Sequence, residues 1–205
     1  MISVKYQNLI KKSAFCSVFR HFSYPYELIK SLEDVFAECL NCLDLNDYLV
    51  DGNRYIHKTA KIDKTAVIIG PCIILENVEV GPYVYLRQNV IIESKAHIGH
   101  ASEIKNSVIL HDATIAHFNY VGDSIIGPHV HLGAGAKISN YRLDGKEIVI
   151  DKPTGVNKFG AMVDENTEIG CNAVINPGTI IGKNCTVYPL CSVKGIIDDK
   201  TIIKK

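Results

Sequence analysis

The stretch Leu86–Ile104 reads LRQNVIIESKAHIGHASEI, and its spacing decides the fold. An aliphatic residue or alanine returns at every sixth position from Ile56 onward: Ile62, Ile68, Ile74, Val80, Leu86, Ile92, Ile98, Ile104, Leu110 and Ala116. Four residues after each comes a small or β-branched one: Ala60, Ala66, Cys72, Val78, Val84, Val90, Ala96, Ser102, Val108, Thr114. A helix repeats at 3.6 and a plain strand at two, so neither gives a period of six. A hexapeptide period belongs to a parallel β-helix, with three short faces per coil and residues 18 apart stacked. The aliphatic position points into the prism and the small one fills the corner.

Outward from this stretch the period is interrupted. It breaks after His117, in HFNYVGDSIIG, and resumes at Ile126 and Leu132. It breaks again between Ser139 and Gly160, then returns at Val163, Ile169, Ile175, Ile181, Val187 and Val193. Within the second break, Asp144-Gly145 suits a two-residue turn, so a β-hairpin or arm is expected to leave the prism and reach a neighbouring subunit. Loops ejected from a rigid scaffold commonly carry chemistry.

Before the repeat, residues 1–54 form a helical cap and linker, and residues 55–205 form the β-helix. A short helix is expected within Asn8–Phe19. A longer one is expected over 23–43, with Ser23 as cap, Pro25 in the first turn, and an apolar stripe of Leu28, Leu32, Val35, Phe36, Cys39 and Leu43. Its expected place is over the first coil, since repeat stacks need covered ends; the alternative is a docking helix for another subunit.

Among the 205 residues, Lys+Arg and Asp+Glu both number 22, so no net field favours nucleic acid or an acidic membrane surface. No stretch approaches the roughly 20 apolar residues of a membrane span, and the N-terminus lacks a signal-peptide pattern. Seven cysteines, with Cys72, Cys185 and Cys191 at small inward positions, suit a reducing, cytoplasmic setting. Cys39 and Cys42 form a C-x-x-C on the helical stripe, where a packing role is expected.

Arg87 and Lys105 each follow an aliphatic position and lie 18 apart, so they stack on adjacent coils about 4.8 Å apart. Two like charges so close call for an anion, a phosphate or a carboxylate such as Glu103 or Glu93. His117 stands where the repeat breaks, and an imidazole can take a proton near neutral pH. Glu103 is placed to orient an imidazole or an ammonium. Of the remaining histidines, His97, His100, His111, His129 and His131 fall on different faces or phases, so no three-histidine zinc site and no metal are expected.

At these residues a resemblance enters. The segment Leu86–Tyr141, with LRQNV, EIK, IAHFNYVGD and IGPHVHLGAGAKISNY, resembles the acetyltransferase domain of bifunctional bacterial N-acetylglucosamine-1-phosphate uridyltransferase/glucosamine-1-phosphate N-acetyltransferases. The segment GVNKFGAMVDENTEIGCNAVINPGTIIG is similar to archaeal-type sugar-phosphate nucleotidyltransferases with the same β-helix. The resemblance covers about residues 55–195 and implies a left-handed coil. It implies His117 as general base, with Glu103 near it. It implies Arg87 and Lys105 as phosphate and sugar contacts, Tyr120, Asn140 and Tyr141 as sugar contacts, and Lys146 as a further phosphate contact. Ala134 is similar to a position lining the coenzyme A groove; Cys171 falls beside the acetyl carrier, and Pro189 replaces a small residue there.

The implied reaction moves acetyl from acetyl-CoA to the amine of an amino-sugar 1-phosphate, with glucosamine 1-phosphate as the expected acceptor in UDP-N-acetylglucosamine synthesis. It needs no metal and runs in a homotrimer. The chain departs from the pattern at several points. It shows no Gly-rich nucleotide loop, so nucleotidyl transfer is not expected. His131 replaces an asparagine, and the C-terminal arm that completes the coenzyme A site in bifunctional enzymes is missing. Two other readings stay open: acyl transfer to another amine or hydroxyl, such as a nucleotide-linked amino sugar, and a non-catalytic trimeric partner of a nucleotidyltransferase.

Overall fold

A computed structural model describes residues 2–204. The protein is mainly β, a parallel β-helix of about eight turns. Its three faces are a nine-stranded sheet A, an eight-stranded sheet B and a seven-stranded sheet C. The chain visits A, B and C in turn. Strand β1 (Tyr48–Asp51) pairs antiparallel with β2 (Arg54–His57) and closes the first coil; from β2 onward the pairing is parallel.

The inward columns are nearly continuous. Sheet A contributes Ile74, Ile92, Ile109, Ile126, Val163 and Ile181; sheet B contributes Val80, Ile98, Ile115, Leu132, Ile169 and Val187. Sheet C adds Leu86, Ile104, Val121, Ile138, Ile175 and Val193. Each such side chain contributes roughly 1.5–3 kcal/mol by leaving water, and together they hold the stack. Cys72, Cys185 and Cys191 fill inward corners as expected, and the seven cysteines are free thiols.

The phase differs from the sequence expectation. Leu86 stands over Ile104, 18 residues on, but Ile92 stands over Ile109, 17 on. The period therefore slips one residue after Ile104, well before His117. Ile109, Ala113 and Ile115 point inward in place of Leu110, Thr114 and Ala116. Residue type alone could not separate these frames, because both offer aliphatic and small side chains. The segment after His117 is no break: Tyr120–Gly122 pairs in register with Glu103–Lys105. A second residue is lost between Val121 and Ile126. Both losses, the long insertion before Ala161 and a shortening before Ile197 fall at one corner, where sheet C turns into sheet A. At the other two corners the spacing stays at six.

Four short helices precede the β-helix: α1 (Ile2–Ile10), α2 (Cys16–Phe19), α3 (Pro25–Lys30) and α4 (Phe36–Leu40). The single helix expected over 23–43 is thus two, separated by turns, and the helix expected within Asn8–Phe19 is only the four residues of α2 after the end of α1. Tyr24, not Ser23, is the N-cap of α3; the Glu27 carboxylate accepts from the backbone N–H groups of both Ser23 and Tyr24.

This helical lobe does not sit over the first coil. It lies along sheet A, whose outward side chains Ile73, Ile91, Val108, Ile125, Met162 and Ile180 are buried with Tyr6, Phe15, Phe19, Leu28 and Leu32. Sheet A is apolar on both faces, and the outer column needs a cover. Polar ties fix the lobe at intervals. Lys5 reaches Asp199 at 3.2 Å, Lys12 pairs with Glu165, and Ser13 donates to the buried Glu93 carboxylate at 2.5 Å.

The insertion at 139–160 is an irregular loop with isolated antiparallel bridges Tyr141–Lys158 and Val149–Pro153. It is no regular hairpin, although Gly145 does take a positive φ of 68° in a turn tied by an Arg142–Asp144 ion pair. Its apolar side chains Ile148 and Phe159 fold back into the lobe's core instead of projecting away. Leu143 at the tip is fully exposed. No helix among the described residues is long and apolar enough to cross a membrane.

Candidate functional site

Two corners of the prism carry the residues singled out in the sequence. At the corner from sheet B to sheet C, His117 lies two residues past the inward Ile115. Ala134, Cys171 and Pro189 occupy the same place on the next coils, two past Leu132, Ile169 and Val187. The backbone stitches them into one column: Gly135 N–H donates to His117 O, Asn172 N–H to Ala134 O, and Leu190 N–H to Cys171 O. The proposed base and the three proposed coenzyme A positions thus form a single line along one edge.

Beside this line runs a shallow groove of about 320 Å³, lined by Cys171, Pro189, Gly133, Gly170, Tyr188 and His131 among others. His131 is held by Glu168 at 2.8 Å. Lys137 adds a tie that sequence reasoning missed: its ammonium donates to Phe118 O at 2.8 Å and Gly135 O at 2.7 Å, the carbonyls flanking the His117 corner. Burial holds its pKa below the usual lysine value.

At the other end of sheet C, Arg87 and Lys105 stack on adjacent coils as their spacing predicts. A carboxylate meets each. Arg87 Nη1 lies 3.1 Å from Glu103, and Lys105 Nζ lies 3.2 Å from Asp123, with both members of the second pair largely buried. Glu103 is therefore engaged by Arg87 and not by His117, which is exposed.

Asp123 is the hub here, and its place beside a slipped corner hid it from the repeat. Besides Lys105 it accepts from Asn106 Nδ2 at 2.8 Å and from Asn140 Nδ2, which also donates to Tyr120 Oη at 3.1 Å. Tyr120 has its pKa raised, first by burial and then by Asp123 and Glu103. Gly122 makes this packing possible. A Cβ there would come within 2.5 Å of Tyr120 Oη and 2.7 Å of Asn140 Nδ2.

Arg87, Lys105, Tyr120, Asn140 and Tyr141 line one cavity of about 490 Å³. Lys158 completes it, brought there by the bridge to Tyr141. Lys146 does not line it; that residue is exposed near the tip of the insertion. The six-residue repeat gives no means of aligning the insertion, so sequence spacing could not show that Lys158, not Lys146, lines this cavity. Between the two corners, Tyr85, Glu103, Tyr120 and Lys137 form the outward column of sheet C.

Residues 68–161 match the family model described as the GMPPB C-terminal domain. Over 185 residues the chain is 31% identical to the bifunctional protein GlmU of Methanococcus aeolicus, an alignment covering 77% of this chain and 45% of the relative. It is 36% identical over 172 residues to a bifunctional sugar-1-phosphate nucleotidylyltransferase/acetyltransferase of Sulfurisphaera tokodaii, covering 73% and 43%. The resemblance read from the sequence is therefore found again in these relatives, and the chain spans less than half of their length. Among solved structures, WeeI from Acinetobacter baumannii AYE aligns with a TM-score of 0.41 at 20% identity, over 70% of this chain and 54% of that one.

Proposed function

We propose that this protein transfers an acetyl group from acetyl-CoA to the amine of an amino-sugar 1-phosphate, glucosamine 1-phosphate being the favoured acceptor. The observation that supports this reading is the single corner column His117–Ala134–Cys171–Pro189, which puts an exposed imidazole in line with the 320 Å³ groove, here read as the acyl-carrier groove. The names of the two bifunctional relatives, one of them a nucleotidylyltransferase/acetyltransferase, agree with it.

In this mechanism acetyl-CoA lies along the groove with its thioester near the corner. The acceptor lies across sheet C, its amine toward His117 and its phosphate toward the cavity at the far edge. An ammonium has no free lone pair, so His117 removes its proton; the amine then attacks the thioester carbonyl, and the tetrahedral intermediate collapses to release the thiolate. The attacking nitrogen gives up its second proton as the intermediate collapses, and the thiolate takes up one proton to leave as free coenzyme A, so one proton is released overall. Since Glu103 and Asp123 already offset Arg87 and Lys105, Lys158 supplies the remaining positive charge for a phosphate. The groove lies on an open surface, and a homotrimer, in which a neighbouring copy would wall it, belongs to this proposal.

The test is thiol release from acetyl-CoA by purified protein with glucosamine 1-phosphate, and with galactosamine 1-phosphate in parallel. Acceptor-dependent release supports the proposal and ranks the sugars. A folded preparation that releases thiol with neither sugar refutes it.

A further inference from the structure

The third corner, from sheet A to sheet B, carries a cluster that the acetyl-transfer reading does not use. His111, Asp112 and His129 offer one nitrogen or oxygen each, and these three atoms lie within 4.8 Å of one another. It is the one such group found among the described residues. His111 and His129 are 18 apart in sequence but straddle a one-residue slip, so the repeat pattern set them on different phases. The structure sets His129 on the coil next to His111 and one position further round the corner, in line with Asp112, with His129 N–H donating to His111 O at 3.3 Å.

We propose that His111, Asp112 and His129 form a binding site for a divalent transition-metal ion of the zinc class. The donor set of two imidazoles and one carboxylate suits zinc, cobalt or nickel over the oxygen-seeking magnesium and calcium. The backbone holds two of the three ligands in place. Asp112 and His129 both occupy left-handed corner positions, with φ of 58° and 54°, on successive coils. The imidazoles stand edge to face, their centroids 5.4 Å apart, and His111 Nδ1 already meets Asp112 Oδ2 at 2.8 Å. Tetrahedral coordination with bonds of about 2.0–2.1 Å puts ligand atoms roughly 3.4 Å apart. His111 and Asp112 are half-buried and His129 is exposed, so the proposal requires their side chains to rotate to close the present spacing. Three protein ligands leave a fourth position for water. The ion would link two consecutive coils at a corner distinct from both the His117 column and the Arg87–Lys105 cavity.

The experiment uses the full chain, stripped with chelator and dialysed against Zn²⁺ at pH 7.5. The retained metal is measured, with the Co²⁺ absorption spectrum as a second readout. One zinc per chain and a visible cobalt band are expected. The replacements Asp112→Asn and His129→Asn should each weaken binding at least about tenfold, since even outer partners of a metal ligand are worth that much. Asparagine occupies many left-handed corners of this same protein, among them Asn77, Asn166 and Asn184, so both replacements should leave the thermal midpoint of the metal-free chain unchanged. The control His57→Asn should bind as wild type. A wild-type chain that retains no zinc overturns the proposal. So does zinc retention that neither replacement alters, because the ion then lies elsewhere.

Discussion

The Lys105 ammonium lies 3.2 Å from the Asp123 carboxylate, and the Asp123 backbone N–H returns to Lys105 O at 2.9 Å. Side chain and backbone thus bind the same two residues together across consecutive coils. Replacing Asp123 by Asn should free Lys105 and loosen Asn140 and, through it, Tyr120. The expected result is an acceptor KM raised about tenfold, equivalent to about 1.4 kcal/mol, with kcat changed much less. The thermal midpoint should also fall, because an uncompensated, largely buried lysine remains. Steady-state kinetics with varied sugar phosphate checks the first effect and calorimetry the second; an unchanged KM would remove Asp123 from the binding site.

His117→Ala should lower kcat by roughly 10²–10⁴, the usual range for a general base. His117 is exposed, so the melting curve should stay where it is. Activity retained within a factor of two, in a preparation with native melting, would rule out His117 as the base.

The two lysines of the insertion should behave differently. Lys158→Ala is expected to raise the acceptor KM about tenfold, since its side chain lines the cavity. Lys146→Ala should leave KM within error. The opposite pattern would show that the insertion closes over the substrate in another arrangement.

Asp164 gives a pH prediction. Burial pushes its carboxyl up to about 6, against the pull of Lys12, Lys183 and Lys5 and with the push of Asp199. Between its ordinary value near 4 and about 6, the folded state holds the proton more tightly than the unfolded chain does. Stability from this group is therefore full below the lower value and declines as pH rises to about 6, by up to about 1.4 kcal/mol per pH unit. Asp164→Asn keeps an oxygen to accept the Glu165 N–H, which lies 2.7 Å away, and should flatten that part of the curve and raise stability at pH 7. Urea midpoints measured from pH 4 to 7.5 test it; a mutant curve parallel to wild type would refute it.

The β-helix was legible because its inward columns repeat in residue type, and the stacking of Arg87 on Lys105 followed from spacing within an unslipped coil. The phase beyond Ile104 was not legible. Leu110 and Ile109 are both aliphatic, and only the helical lobe, which takes Leu110 into its own core, settles which points inward. That same lobe was misplaced because the outward apolar column Ile73, Ile91, Val108 and Ile125 was hidden among inward neighbours of the same kind. Asp123, Lys158 and the His111–His129 pair were missed for one reason. Each lies past a change in coil length, and spacing arguments fail across it.

Every such change in length falls at the corner from sheet C to sheet A: coils there lose a residue twice and then, from Ile126 to Val163, lengthen to 37. The neighbouring strands still stack in register on both sides. One edge of this solenoid therefore works as an editing port. Segments can be cut or spliced there like a cassette while the other two edges keep time. Because the Arg87–Lys105 cavity opens at this port and the His117 column stands on an edge that never changes length, the proposed function implies that acceptor choice can be rewritten by loop exchange without disturbing the geometry of the proposed transfer step.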